Sequence, residues 1–320
     1  MTAAALYKGA DMTTNVVKAC TPKGTRMRFR LVRPVLASVL ALLAAAPGDA
    51  EHMTLAPTGH VLTPVLLNGT GPYDFVVDTC ASASVLVAGM AERLGLASAG
   101  RHQAEIRGAS GTGSGALFRL DRIEVDGRAR GPMTLTSLPA PPAGPPPWAG
   151  VIGVDVLADY VAEFDVPGGR FRLHDPATDL AAAGTWAQLP FVRNQAGFPV
   201  LQGTLDGRPL RVLLDTGARR TLINWAAARL LGLASGDPSL AQAEPVRGAT
   251  QQPIMAVKRS FGTIVIGGLA IPAGEITIAD LPVFGPLGWT EAPAMILGID
   301  KMGAYRFAVD YPRSRLLVAR

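Results

Sequence analysis

Cysteine is almost missing from this chain of 320 residues, which has only Cys20 and Cys80. Two cysteines leave no room for a disulfide framework or a Cys-rich zinc site. Histidine is scarce as well. His52, His60, His102 and His174 are scattered, no two have metal-ligand spacing, and no His-Glu-x-x-His occurs. The four therefore read as surface residues, and the sequence points to no metal and no cofactor. Charged residues make up only 17% against 48% hydrophobic, which excludes a disordered chain. No apolar run approaches the roughly 20 residues of a bilayer span. A basic surplus is also missing once the chain is divided. Residues 1–50 hold seven of the 30 Lys and Arg and two of the 25 Asp and Glu, which leaves 23 of each sign in residues 51–320. That balance offers no basic face to nucleic acid or to an anionic membrane surface.

What is present begins with a leader. From Met27 the chain reads Met-Arg-Phe-Arg-Leu-Val-Arg, then an apolar run from Val35 to Ala46, then Pro-Gly-Asp-Ala. A basic segment, a short apolar core and small residues at Gly48 and Ala50 predict a secretory signal peptide within residues 1–50, cleaved after Ala50. Residues 1–26 lie upstream of a good basic segment, so Met27 is the expected start, and Cys80 is then the single cysteine of the mature chain. The expected destination is outside the cytoplasm: the bacterial periplasm or the medium, with no stable membrane insertion once the leader is removed.

Residues 51–320 are one pattern written twice. Thr63-Pro-Val-Leu, a Gly-rich turn, Tyr73-Asp-Phe-Val-Val-Asp78-Thr-Cys-Ala-Ser and Ala88-Gly-Met-Ala-Glu-Arg-Leu-Gly-Leu96 form the first copy. Phe198-Pro-Val-Leu, Asp206-Gly, Leu210-Arg-Val-Leu-Leu-Asp215-Thr-Gly-Ala-Arg and Trp225-Ala-Ala-Ala-Arg-Leu-Leu-Gly-Leu233 form the second. Arg107-Gly-Ala-Ser answers Arg247-Gly-Ala-Thr, and Val151-Ile-Gly-Val-Asp155 answers Ile296-Leu-Gly-Ile-Asp300. Landmarks recurring in one order mark a duplicated domain, with expected halves 51–180 and 181–320. Short alternating or β-branched runs predict strands at Val65–Leu67, Phe75–Val77, Phe118–Val125 and Met133–Leu138. Their counterparts are Val200–Leu205, Leu210–Leu214, Phe261–Ile266 and Glu275–Ile278. One short helix per half is expected, over Met90–Leu96 and Trp225–Leu231, each stopped by a glycine. His174–Gln188 reads as the linker. The fold class is all-β, in two lobes.

In each half an apolar strand runs directly into Asp-Thr and small residues: Asp78-Thr79-Cys80-Ala81 and Asp215-Thr216-Gly217-Ala218. A carboxylate at the end of a buried strand is costly unless backbone N–H groups approach it, and a tight turn of small residues allows that. Two such loops meeting at a pseudo-twofold axis bring two carboxyls together. Both cannot stay ionised, so they share a proton. A pair of this kind can deprotonate a water with one member and polarise a carbonyl with the other. Competing motifs are weaker. Gly111-Thr-Gly-Ser-Gly lacks the helix and ribose-binding acid of a phosphate loop. Ser110 lacks the second glycine of a nucleophile elbow, and Cys80 has no identifiable histidine partner. Trp148, Trp225 and Trp289 read as packing residues.

On these residues the chain resembles the retropepsin-like aspartic peptidases, over residues 60–318. The resemblance implies two retropepsin-like lobes related by a pseudo-twofold axis, a pepsin-like bilobal architecture in a single-chain monomer. Together with the leader it implies an exported aspartic endopeptidase acting on polypeptides, with Asp78 and Asp215 the catalytic pair and Thr79 and Thr216 bracing the loops. Cys80, Ala81, Gly217 and Ala218 complete those loops, and Ile152-Gly153 and Leu297-Gly298 are the supporting strands behind them. Arg107, Gly108, Ala109, Ser110 and Gly111 form a substrate flap, with Arg247 and Gly248 in its weaker counterpart. Two residues depart from the pattern. Cys80 stands where the family has glycine, and its Cβ is accommodated if φ is negative and strained if φ is positive. Arg219 is either a solvated charge or, close to Asp215, a cation that would depress its pKa. A disabled pair would leave the alternative function, an inactive peptide-binding protein with the same fold.

Overall fold

The computed structural model describes residues 51–141, 144 and 146–320. The expected signal peptide, the start at Met27 and Cys20 lie outside the described residues.

The strand pairs that carry the two Asp-Thr loops are set by tight turns. Asn68-Gly69 takes φ of 49° and 77°, and Asp206-Gly207 takes 48° and 78°. Positive φ at both turn residues gives the hairpin whose twist matches its strands, and glycine is the residue that occupies the second position without strain. Val61–Leu67 thereby pairs antiparallel with Thr70–Val77. Pro199–Leu205 pairs likewise with Arg208–Leu214.

Around these hairpins the earlier residues form a ten-stranded sheet and the later residues an eight-stranded sheet. In the latter, Pro199–Leu205 also pairs with Val257–Ile266, which closes the strands on themselves. A six-stranded sheet joins the two. It takes Glu51–His52, Arg170–His174 and Val161–Asp165 from one side and Arg306–Asp310, Arg315–Ala319 and Trp186–Pro190 from the other. Its central pair is antiparallel across the halves, with Phe164 opposite Phe307. Those two rings, both fully buried, stack at 4.8 Å with an interplanar angle of 9°. Beside them Glu163, also buried, accepts from Arg306 Nε across the halves and lies 2.6 Å from His174 Nε2.

The structure is the mostly β, two-lobed molecule that the repeat implies, with local corrections. Four short helices are present among the described residues, two per lobe in place of one. Met90–Arg93 and Trp225–Leu230 were expected; Val154–Leu157 and Ile299–Met302 are single turns, too short to display a helical period. The run Phe118–Val125 is not one strand. It breaks at Asp121-Arg122 into Gly111–Leu120 and Ile123–Val125. The expected linker ends in a strand, Trp186–Pro190, paired with Arg315–Ala319. His60 and His174 are not free surface residues: His174 binds Glu163, and His60 lies 4.7 Å from the Trp148 ring.

Candidate active site

Each loop is launched by a strand with a parallel neighbour. Thr70–Val77 lies beside Gly150–Ile152, and Asp78 N–H donates to the Ile152 carbonyl at 2.9 Å. Arg208–Leu214 lies beside Ala294–Leu297, and Asp215 N–H donates to the Leu297 carbonyl at 3.0 Å. The glycines that follow are required by close approach. A Cβ on Gly153 would stand 2.6 Å from the Ala81 carbonyl oxygen, and one on Gly298 would stand 2.7 Å from that of Ala218.

The loops hold each other at the axis. Thr79 Oγ1 donates to the Leu214 carbonyl at 2.7 Å and accepts from Thr216 N–H at 3.1 Å. Thr216 Oγ1 donates to the Val77 carbonyl at 2.7 Å and accepts from Thr79 N–H at 3.1 Å. Both threonines are buried, and their two hydroxyls serve four backbone groups.

This brace brings Asp78 and Asp215 together, each near enough to shift the other's protonation. Asp78 Oδ1 accepts from Cys80 N–H at 2.7 Å, and Asp215 Oδ1 accepts from Ala218 N–H at 2.9 Å. Removal from water raises the Asp78 pKa above the usual carboxylate range, against the pull of the Cys80 N–H. Asp215 is pushed well above that range, first by removal from water and then by the negative charge of Asp78. One proton shared between the two is the arrangement such a pair adopts.

The two departures resolve. Neither Cys80 nor Gly217 has positive φ, so the cysteine is accommodated without backbone strain. Its Sγ donates to the Leu214 carbonyl at 3.1 Å. Burial, then the charges of Asp215 and Asp78, push its thiol pKa well up, so it remains a thiol. Arg219 turns away from the pair. It and Arg220 both reach Glu244 Oε2, at 3.3 and 3.2 Å, and all three side chains are exposed.

Ser98–Gly108 and Gly111–Leu120 form the first hairpin, with Ala109 and Ser110 at its tip. The second is looser: around Arg247 and Gly248 a single bridge pairs Val246 with Ile254. The tips meet. Gly248 N–H donates to Ser110 Oγ at 2.9 Å, and Ser110 Oγ lies 3.2 Å from Thr250 Oγ1. Ser110 is fully buried. Arg107, by contrast, is exposed and paired to Glu105, its hairpin neighbour.

Two pairs of supporting residues escaped the sequence reading. Ser84 Oγ and N–H both donate to Asp155 Oδ1, and Gly153 N–H donates to Ser84 Oγ at 3.0 Å. Thr221 and Asp300 do the same, with Gly298 N–H donating to Thr221 Oγ1 at 3.0 Å. The repeat of Asp155 and Asp300 was visible in the sequence; their partners were not. Among the described residues no group of three or more His, Cys, Asp or Glu is placed to hold a metal ion, and no helix is long and apolar enough to cross a membrane.

Compared with known families, the chain matches the one described as aspartyl protease over two segments, residues 63–156 and 201–300. No curated protein matches it.

Proposed function

The chain belongs to the aspartyl protease family, and from that premise we propose that it is an exported endopeptidase whose catalytic pair is Asp78 and Asp215. The observation that carries this reading is the reciprocal threonine brace, which locks duplicate loops together with their two coupled carboxyls side by side. One ionised and one protonated carboxyl in contact supply a base for a water and an acid for the carbonyl it attacks, with no cofactor required. The water adds to the peptide carbon, the carbonyl oxygen is protonated, and the resulting gem-diol collapses with proton transfer to the leaving amine. An extended polypeptide is the substrate class, seated between the lobes beneath the hairpin tips by strand addition. The protein acts as a monomer, after removal of the leader at Ala50, in the periplasm or medium.

Peptide cleavage by wild type, D78N and D215N across acidic to neutral pH tests this. Each substitution is expected to lower kcat/KM by at least about a thousandfold. Activity that survives both would sink the mechanism. A wild type that binds peptides and cuts none would assign the chain to peptide binding instead.

A further inference from the structure

Within the four residues Asp-Thr-x-Ala the loops differ at one position, and that position breaks the symmetry of the carboxyl pair. Gly217 lies directly against Asp78: a Cβ built on it would stand 2.3 Å from both Cγ and Oδ2 of that carboxyl. Non-bonded atoms do not approach so closely, so the Asp78 carboxyl occupies the space a side chain at 217 would need. The first loop has Cys80 at the matching position, with a real Cβ and Sγ. Asp215 therefore cannot lie against residue 80 as Asp78 lies against residue 217. The same two loop amides approach each carboxyl, but the leading one differs: the Cys80 N–H donates to Asp78 Oδ1 at 2.7 Å, with the Ala81 N–H second, whereas the Ala218 N–H donates to Asp215 Oδ1 at 2.9 Å, with the Gly217 N–H second.

We propose that Cys80 is a positioning residue that gives the dyad its direction: the side chain it places where the other loop has none keeps Asp215 as the proton-bearing acid and leaves Asp78 as the base. The proposal rests on the reading of Asp78 and Asp215 as the catalytic pair. A CH2–SH group beside Asp215 replaces polar surroundings with weakly polar ones, which disfavours the ionised form there. Asp78 faces only backbone at Gly217 and has the shorter N–H contact, at 2.7 Å, which favours its ionised form. The neighbouring titratable groups do not reverse this. The Cys80 thiol is neutral. The Tyr311 hydroxyl, fully buried and without a hydrogen-bond partner among the described residues, is pushed well up, first by burial, with the Asp78 charge adding and Arg193 opposing. No lysine or arginine is among the groups that shift either carboxyl.

The roles follow. Asp78 carboxylate takes a proton from the water as its oxygen bonds to the peptide carbon, and the carbonyl electron pair moves to oxygen and takes the proton of Asp215. In the collapse, Asp78 returns its proton to the leaving nitrogen as the C–N bond breaks, and Asp215 recovers a proton from the gem-diol hydroxyl.

The test uses wild type, C80G and C80S, each read by the pH profile of kcat/KM and by 13C NMR titration of the Asp78 and Asp215 carboxyls. In wild type Asp215 is expected to stay protonated to higher pH than Asp78. C80G is expected to lower the basic limb of the profile, and the Asp215 titration with it, by about one pH unit. C80S keeps a side chain and a donor towards Leu214 and is expected to hold both at the wild-type position. An unchanged titration order and spacing in C80G would overturn the proposal, as would C80S shifting as far as C80G. The NMR titration needs no turnover, so a wild type that cuts no peptide would sink the protease reading alone, and the carboxyl order would still decide the role of Cys80.

Discussion

Thr79 and Thr216 each satisfy a donor and an acceptor of the opposite loop with one hydroxyl. Valine at position 79 keeps the shape and removes the oxygen, which strands the Thr216 N–H and loses a donor to the Leu214 carbonyl. The Leu214 carbonyl keeps the Cys80 thiol, so one buried orphan remains, and T79V is expected to lower unfolding free energy by about 1–3 kcal/mol, and T79S by much less. Denaturant titration of the two variants measures this. The two aspartates and threonines were legible in the sequence because each stands at the end of an apolar strand in a repeated tetrapeptide. Ser84 and Thr221 were not, because a serine or threonine a few residues past a loop has no pattern of its own. Their role exists only where Asp155 and Asp300 are folded back onto them.

At the scale of elements, the hairpin tips form a latch made by equivalent residues of the two copies, Ser110 and Thr250. Under the proposed function, substrate access requires these tips to part. S110A removes the acceptor of the Gly248 N–H, and a neutral hydrogen bond of about 1 kcal/mol corresponds to several-fold in an opening equilibrium. The Gly248 amide is expected to lose protection several-fold in hydrogen exchange, and kcat/KM to rise by a similar factor as the open form becomes commoner. An unchanged exchange rate would show that the latch does not limit opening. The hairpin at Arg107–Gly115 was readable from its glycines. Its counterpart was weaker in sequence and is weaker in structure, since Pro253 and the positive φ of Gln251, 62°, leave room for one bridge only. The single-turn helices were not readable. Four residues cannot show a 3.6-residue period, and Gly153 and Gly298 stand at their starts because of the loops they pass.

For the whole molecule, pH acts in two directions. Burial first, and the Arg219 charge second, lower the pKa of His60 to about 4. Unfolded His60 titrates near 6.5, so between these values the unfolded chain binds the extra proton. The contribution to stability is complete above pH 6.5 and falls away as pH drops towards 4, by an amount on the order of 3 kcal/mol. H60Q is expected to flatten that slope in thermal melts across this range; an unchanged slope would place the acid sensitivity elsewhere. The raised Asp215 has the opposite sign. Its proton is bound more tightly in the folded chain, so its contribution is complete below the ordinary carboxylate range and is lost as pH rises through the folded value. Protonation of the carboxyl pair therefore favours acid, while the packing of His60 against Trp148 favours neutrality.

The duplication, the all-β class and the two Asp-Thr loops were written in the chain itself, because turn chemistry, strand alternation and a repeated order of landmarks are local properties that survive without a fold. The pairing of halves through the Phe164–Phe307 strands, the reciprocal threonine brace, the latch of the tips and the withdrawal of Arg219 to Glu244 came only from the tertiary structure. Each of these joins residues far apart in sequence, and nothing local in either partner specifies the other. The asymmetry of the dyad lies between the two. Cys80 against Gly217 can be read off the chain, but which carboxyl has space beside it is decided where Gly217 meets Asp78 across the axis.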